Sequence, residues 1–205
     1  MKTLVRTLAI AAASISLLAA CGDKGAKTGA EGDMDLGNPN AKVTLVEYAS
    51  VTCSHCARFD KDVFPALRAK YIDNGKIHYV FREFLTTPAP VAAAGFVLAR
   101  CAGKDKYFQV IEAMFRAQDE MFQTGDFRTP YLRIAKSMGM TEDQFNTCLN
   151  DSAALDAVSK RVQRAVDVDK IDGTPTFFVN GKQVATGETS LDKLDAAIAA
   201  AQAGK

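Results

Sequence analysis

The sequence lacks the features of several common protein classes. Its 25 basic and 24 acidic side chains do not form a basic block, so there is no electrostatic reason to expect nucleic-acid binding. It has two histidines and one Cys-x-x-Cys pair, whereas a structural zinc site usually needs four Cys or His ligands. We find no internal repeat, and 205 residues with 48% hydrophobic content suffice for a globular core.

The N-terminal segment differs in kind from the rest of the chain. Lys2 and Arg6 precede an apolar run that is too short for a comfortable bilayer span, and this pattern predicts an export signal over residues 1–20. The run ends in Leu-Ala-Ala directly before Cys21, which resembles a bacterial lipobox. That resemblance implies cleavage before Cys21 and lipid on its sulfur, which would anchor the protein to a membrane. Cleavage near Ala20 without lipid is the alternative.

Residues 21–40 are rich in Gly, Asp, Lys and Asn and contain few large apolar side chains. Such a composition cannot build a core, and it predicts a flexible tether between the anchor and a folded part.

The folded part predicts an α/β fold in which a strand, a helix and a second strand come first. Residues 41–49 and 77–84 are strand-like, and the helical pattern between them contains Pro65, which should kink it. Residues 41–88 and 170–205 then form one domain, and 89–169, with helical patterns only, form a helical insertion. We expect helix breaks at Gly103, at 125–130 and at Gly139.

The sheet resumes after the insertion. Residues 174–179 predict a strand, and Asn180-Gly181 predicts a two-residue hairpin, because both central residues of that turn take positive φ. A last helix should begin near Thr189 or Ser190. The predicted order is therefore βαβ, helices, then ββα.

The chemistry resides in Cys53-Ser54-His55-Cys56, where the first strand ends and the helix begins. Unpaired amides and the helix dipole stabilise a thiolate at this position, which makes Cys53 a nucleophile. A charged His55 would add to this effect. Cys56 lies one turn later and is suited to resolve a mixed disulfide.

Glu47, on the first strand, should lie under the cysteine pair and accept the proton that Cys56 must lose. The alternative is a solvated carboxylate at the end of the strand. Metal binding by the two thiols is the rival interpretation of the motif itself, but we expect no metal and no organic cofactor beyond the redox-active cysteine pair.

Taken together, three features closely resemble the DsbA-like thioredoxin-fold oxidoreductases: the strand that ends in Cys53–Cys56, the helical insertion, and the segment 173–181. The resemblance covers residues 41 to about 200. It implies that the Thr174–Pro175 peptide bond is cis and that the backbone of Thr174 binds an extended substrate peptide beside Cys53. It also implies that Glu47 corresponds to the buried acid of the family.

The resemblance has two departures that concern redox direction. Ser54 stands where the best-known oxidase type has proline, and Thr174 stands where that type has valine. Threonine recurs in isomerase and reductase relatives. Isomerases of this superfamily usually add a dimerisation region before the thioredoxin domain. Residues 22–40 are too short and too polar to form one. We therefore favour an oxidase and expect a monomer.

The two remaining cysteines, Cys101 and Cys148, both fall inside the helical insertion. We expect a structural disulfide between them, and two buried free thiols are the alternative. Four cysteines allow three connectivities, so the pairing does not follow from the count alone.

The sequence thus predicts an exported thiol–disulfide oxidase that faces the periplasm or the cell exterior. Its partners would be reduced exported polypeptides and a membrane redox protein that reoxidises it. A disulfide isomerase or reductase, and a metal-binding lipoprotein, are the other two interpretations.

Overall fold

The computed structural model describes residues 32–204. The predicted signal, the lipidation site Cys21 and most of the predicted tether lie outside these residues. The described part contains five strands: β1 Met34–Gly37, β2 Thr44–Ala49, β3 His78–Glu83, β4 Thr176–Val179 and β5 Lys182–Thr186. They form one sheet in the order β1-β3-β2-β4-β5. Strands β2 and β3 are parallel, and the other neighbours are antiparallel.

Eight α-helices accompany the sheet in residues 32–204. They are α1 Ser54–Asp62, α2 Phe64–Leu67, α3 Ala89–Cys101, α4 Tyr107–Thr124, α5 Arg128–Ser137, α6 Glu142–Leu149, α7 Ser152–Asp167 and α8 Leu191–Gln202. The predicted α/β thioredoxin fold with a helical insertion is confirmed, since α3 to α7 separate β3 from β4.

The helix boundaries follow local chemistry. The helical run is interrupted just before Pro65, as that proline predicts: α1 ends at Asp62, and Pro65 lies in the first turn of α2, where a proline fits because no amide donor is needed. Gly125 closes α4 at φ 72°, a left-handed conformation that favours glycine. The sequence patterns did not predict the break between α6 and α7, where Asp151 caps α7.

The tether prediction is wrong at its C-terminal end. Met34–Gly37 form the edge strand β1, which pairs antiparallel with β3, and the Met34 side chain is buried in the main core. Asp35 lies 3.2 Å from the His78 ring across this pair. A four-residue strand with one buried apolar side chain has too little alternation to be recognised, and its stability comes from the strand beside it.

Both faces of β2 are covered, so all six of its residues are buried. Leu45 and Ala49 belong to the main core, whereas Val46 and Tyr48 pack on the other face in a smaller cluster with Phe178. Because side chains alternate along a strand, Glu47 faces the main core.

A buried carboxylate fastens the helical insertion to the sheet. Glu83 ends β3 and accepts hydrogen bonds from Arg100 of α3 at 2.6 Å, Tyr107 of α4 at 3.0 Å and Arg161 of α7 at 2.7 Å. Three helices of the insertion therefore converge on one strand end.

Candidate active site

Cys53 occupies the N-cap of α1, with φ −90° and ψ 117°. Its Sγ accepts a hydrogen bond from the backbone N–H of Cys56 at 3.4 Å. The pKa of Cys53 is lowered to about 5, chiefly by hydrogen bonding with the Cys56 side chain, against the opposing effect of burial; Thr174 and the amides of Cys56 and His55 add to the lowering. Cys53 is therefore a thiolate at neutral pH.

Cys56 has the opposite character. It is fully buried, and burial is the largest reason why its pKa is raised well above the ordinary value, followed by its hydrogen bond to Cys53. Both cysteines are free thiols in the structure. The pair thus has one accessible anion and one buried protonated thiol, which is the asymmetry that the motif predicts.

Glu47 lies beneath the pair on β2, between Phe81 of β3 and Phe177 of β4. Its side chain is 2% exposed, and its Oε2 accepts a hydrogen bond from the Tyr79 hydroxyl at 2.6 Å. Burial raises the pKa of Glu47 to about 8, and its charge contributes to the raised pKa of Cys56. Glu47 is not a solvated strand end.

The loop before β4 faces the nucleophile. The Thr174–Pro175 peptide bond is cis, and the Thr174 carbonyl oxygen lies 3.3 Å from Cys53 Sγ, where it accepts a hydrogen bond from Cys53 when that sulfur is protonated. A backbone hydrogen bond fixes this loop to the segment that follows β5, because the Pro175 carbonyl accepts from the Gly187 amide at 2.7 Å.

Ser54 and His55 occupy the first turn of α1, and both are exposed. His55 is close enough to Glu188 for its charge to contribute to the lowered pKa of that carboxylate, whose main cause is the hydrogen bond from Arg58. The motif residues therefore lie on the surface that a substrate would meet.

Sequence reasoning missed three residues of the site: Asp60 and Tyr79, which lie beside Glu47, and Gln118, which contacts the Cys53 backbone. Asp60 lines a small cavity of about 10 Å³ together with Glu47, and burial raises its pKa to about 6. Its position four residues after Cys56 on one helix face could have indicated it. Gln118 comes from the insertion, and no local pattern connects it to Cys53.

Cys101 and Cys148 are bonded to each other, with an S–S distance of 2.11 Å and a Cα–Cα distance of 6.3 Å. Within residues 32–204, no group of three or more His, Cys, Asp or Glu side chains is placed to hold a metal ion. No helix in the described range is both long and apolar enough to cross a bilayer.

A strand that leads into Cys-x-x-Cys at a helix N-terminus, opposite a cis-proline loop, defines the thioredoxin class of fold and site. The comparisons agree. A family model described as Thioredoxin matches residues 29–200, so the chain belongs to the thioredoxin family. It is a DsbA-like member, because Wolbachia pipientis alpha-DsbA1 superposes with a TM-score of 0.78 at 30% identity, covering 85% of this chain and 93% of that one.

Two curated relatives carry names that refer to disulfide chemistry. A Rickettsia bellii protein named "Putative protein-disulfide oxidoreductase" is 37% identical over 169 residues, which are 82% of this chain and 64% of that protein. A Bacillus cereus protein named "Probable disulfide bond formation protein D" is 30% identical over 71% of this chain and 69% of its own length. The chain thus spans less than two thirds of the length of the Rickettsia relative.

Proposed function

We propose that this protein is an exported thiol–disulfide oxidoreductase that forms disulfides in other exported proteins by exchange through Cys53 and Cys56. The observation that carries this proposal is the contrast between the two cysteines. The pKa of Cys53 is lowered to about 5, whereas that of the buried Cys56 is raised. A stabilised Cys53 thiolate favours the reduced enzyme, which makes its disulfide an oxidant.

The reaction begins with the oxidised enzyme. A substrate thiolate attacks Cys53 Sγ, the Cys53–Cys56 bond breaks, and Cys56 leaves with the electron pair and takes a proton. A second substrate thiolate attacks the substrate sulfur of the mixed disulfide, and Cys53 leaves as the thiolate. The substrate loses two electrons and forms a disulfide, and the enzyme disulfide is reduced to the Cys53 thiolate and the Cys56 thiol.

Glu47 is the group that exchanges a proton with Cys56. Its pKa of about 8 leaves it mostly protonated at neutral pH, so it can donate to Cys56 as that sulfur leaves. During reoxidation Cys56 must lose its proton, and the deprotonated fraction of Glu47 accepts it.

The substrate binds as an extended peptide along the cis-proline loop. In the free protein, the Thr174 carbonyl oxygen lies 3.3 Å from Cys53 Sγ, so the Thr174 backbone lies next to the sulfur that forms the mixed disulfide. The main chain of an incoming strand can pair with this backbone while its cysteine meets Cys53.

Export and anchoring rest on the sequence pattern before Cys21. Lipid on that cysteine would hold the enzyme, as a monomer, at a membrane facing the periplasm or the cell exterior, near reduced exported polypeptides and a membrane protein that reoxidises it. The exchange chemistry needs no metal, organic cofactor or nucleic acid.

Thr174 favours a second candidate function, that of a disulfide isomerase or reductase, because threonine at this position recurs in such relatives.

The deciding measurement is the redox potential of the Cys53–Cys56 pair. A value near −120 mV supports an oxidase, and one near −270 mV, as reducing as thioredoxin, contradicts it. A Cys56→Ser variant whose Cys53 has first been converted by Ellman's reagent to a mixed disulfide with thionitrobenzoate should exchange with a reduced substrate thiol, releasing thionitrobenzoate and holding the substrate on Cys53. Cys53→Ser, treated in the same way, is the matched control that holds none. If Cys56→Ser instead bound no substrate and the unaltered protein held zinc or copper through its thiols, the metal-binding interpretation would replace ours.

A further inference from the structure

Gln118 of α4, in the helical insertion, hydrogen-bonds the segment that carries the nucleophile. This side chain is 4% exposed, and its amide nitrogen donates to the carbonyl of Val51 at 2.7 Å and to the carbonyl of Cys53 at 3.1 Å. Both acceptors belong to residues 50–53, the short segment that joins β2 to α1 and carries the nucleophile, which we call the catalytic loop. One amide group therefore holds two peptide units of the catalytic loop.

The second contact bears directly on the reactive sulfur. The Cys53 carbonyl already accepts the first bond of α1, from the Ala57 amide at 3.1 Å. Gln118 adds a second donor to the same oxygen. With both donors in place, the peptide that follows Cys53 has a fixed orientation, and this peptide leads into the turn whose Cys56 amide donates to Cys53 Sγ.

We propose that Gln118 is a positioning residue through which the helical insertion orients the Cys53 peptide and so sustains the Cys53 thiolate. This inference rests on the proposed function and adds a residue that the cysteine motif does not contain. One physical effect supports it. A fixed N-cap geometry keeps the amides of His55 and Cys56, in the first turn, directed at the sulfur.

The test replaces Gln118 with methionine, which has a similar length but no donor. Tyr107→Phe is the matched control, because it also removes a buried hydrogen bond between α4 and the sheet, to Glu83 rather than to the catalytic loop. The rate of iodoacetamide alkylation of Cys53 is followed against pH in the reduced proteins, and unfolding in urea measures stability separately.

We expect both variants to lose stability, but only Gln118→Met to raise the pKa of Cys53. Its alkylation at pH 4.5 should be about threefold slower, the change that half a unit in pKa produces, and its reduced form should be less favoured in a glutathione equilibrium. Unchanged alkylation in a folded Gln118→Met protein, or an equal change in Tyr107→Phe, would overturn the proposal.

A second variant covers the case in which Gln118→Met does not fold. Gln118→Asn keeps the amide but is one carbon shorter, so it cannot hold both carbonyls, and the same slower alkylation is expected. If neither variant folds, Gln118 serves stability alone and the proposal is wrong. The unaltered protein distinguishes failure of this inference from failure of the proposed function. If Cys53 alkylates there with a lowered pKa, the proposed function stands whatever the Gln118 variants do. If it alkylates there as an ordinary thiol, the proposed function itself fails.

Discussion

The lowered pKa of Cys53 makes the stability of the reduced protein depend on pH. A thiol whose pKa falls from 9.0 to about 5 on folding binds fewer protons in the folded chain. The resulting stability is complete above pH 9 and is lost as the pH falls through 5. Between pH 4 and pH 7 the free energy of unfolding of the reduced protein should therefore rise, mainly over the two pH units above the folded pKa of about 5, by roughly 2.7 kcal/mol. Cys53 is partly exposed, so solvent screening reduces this figure to about 1–2 kcal/mol.

The oxidised protein provides an internal reference, because its disulfide has no thiol to titrate. Other groups, including the buried Glu47, titrate in both forms and largely cancel in the difference. The disulfide itself constrains the unfolded chain by an amount that does not vary with pH. The stability of the reduced form minus that of the oxidised form should therefore rise by about 1–2 kcal/mol from pH 4 to pH 7.

Urea unfolding of both redox forms at pH 4, 5, 6 and 7 measures this difference. A difference that stays flat over the whole range would refute the acidic Cys53 and with it the account of an oxidising disulfide.

Three further outcomes follow from the site. Cys56→Ala should raise the pKa of Cys53 more than Cys56→Ser does, because serine keeps a hydroxyl donor; equal alkylation profiles would argue against hydrogen bonding by Cys56 as the main cause. Glu47→Gln should slow the steps that protonate or deprotonate Cys56, on the order of 100-fold, and stopped-flow reoxidation that matches the unaltered protein would contradict its role. Replacing Cys101 and Cys148 with alanine should cost about 4 kcal/mol in calorimetric stability, less any strain relieved, while an altered alkylation rate of Cys53 would contradict a purely structural disulfide.

Much of the fold followed from local patterns. The strand before Cys53, the hairpin at Asn180-Gly181 and the cap at Ser190 were predicted because each is specified by a few adjacent residues. Asn180 and Gly181 do have positive φ, at 47° and 85°, and Ser190 caps α8. Strand β1 was missed because its stability comes from pairing with β3 and not from its own sequence.

The residues of the site likewise fall into those that sequence spacing predicts and those that only the fold brings together. Cys53, Cys56 and Glu47 are connected by short sequence distances, and their spacing indicated a nucleophile, a buried thiol and an acid below them. Tyr79 and Gln118 meet these residues only after β3 and the insertion have packed against β2 and α1. No spacing rule connects Gln118 to a carbonyl 65 positions away, so long-range contacts of this kind require a structure.

The convergence of α3, α4 and α7 on Glu83 affects how the molecule opens. Removing any one helix leaves a buried carboxylate short of a donor, at a cost of about 1–3 kcal/mol or more for a charged group. The insertion should therefore not open as an independent lid. Native-state hydrogen exchange should show the amides of these three helices exchanging together with those of β3, in one cooperative unit.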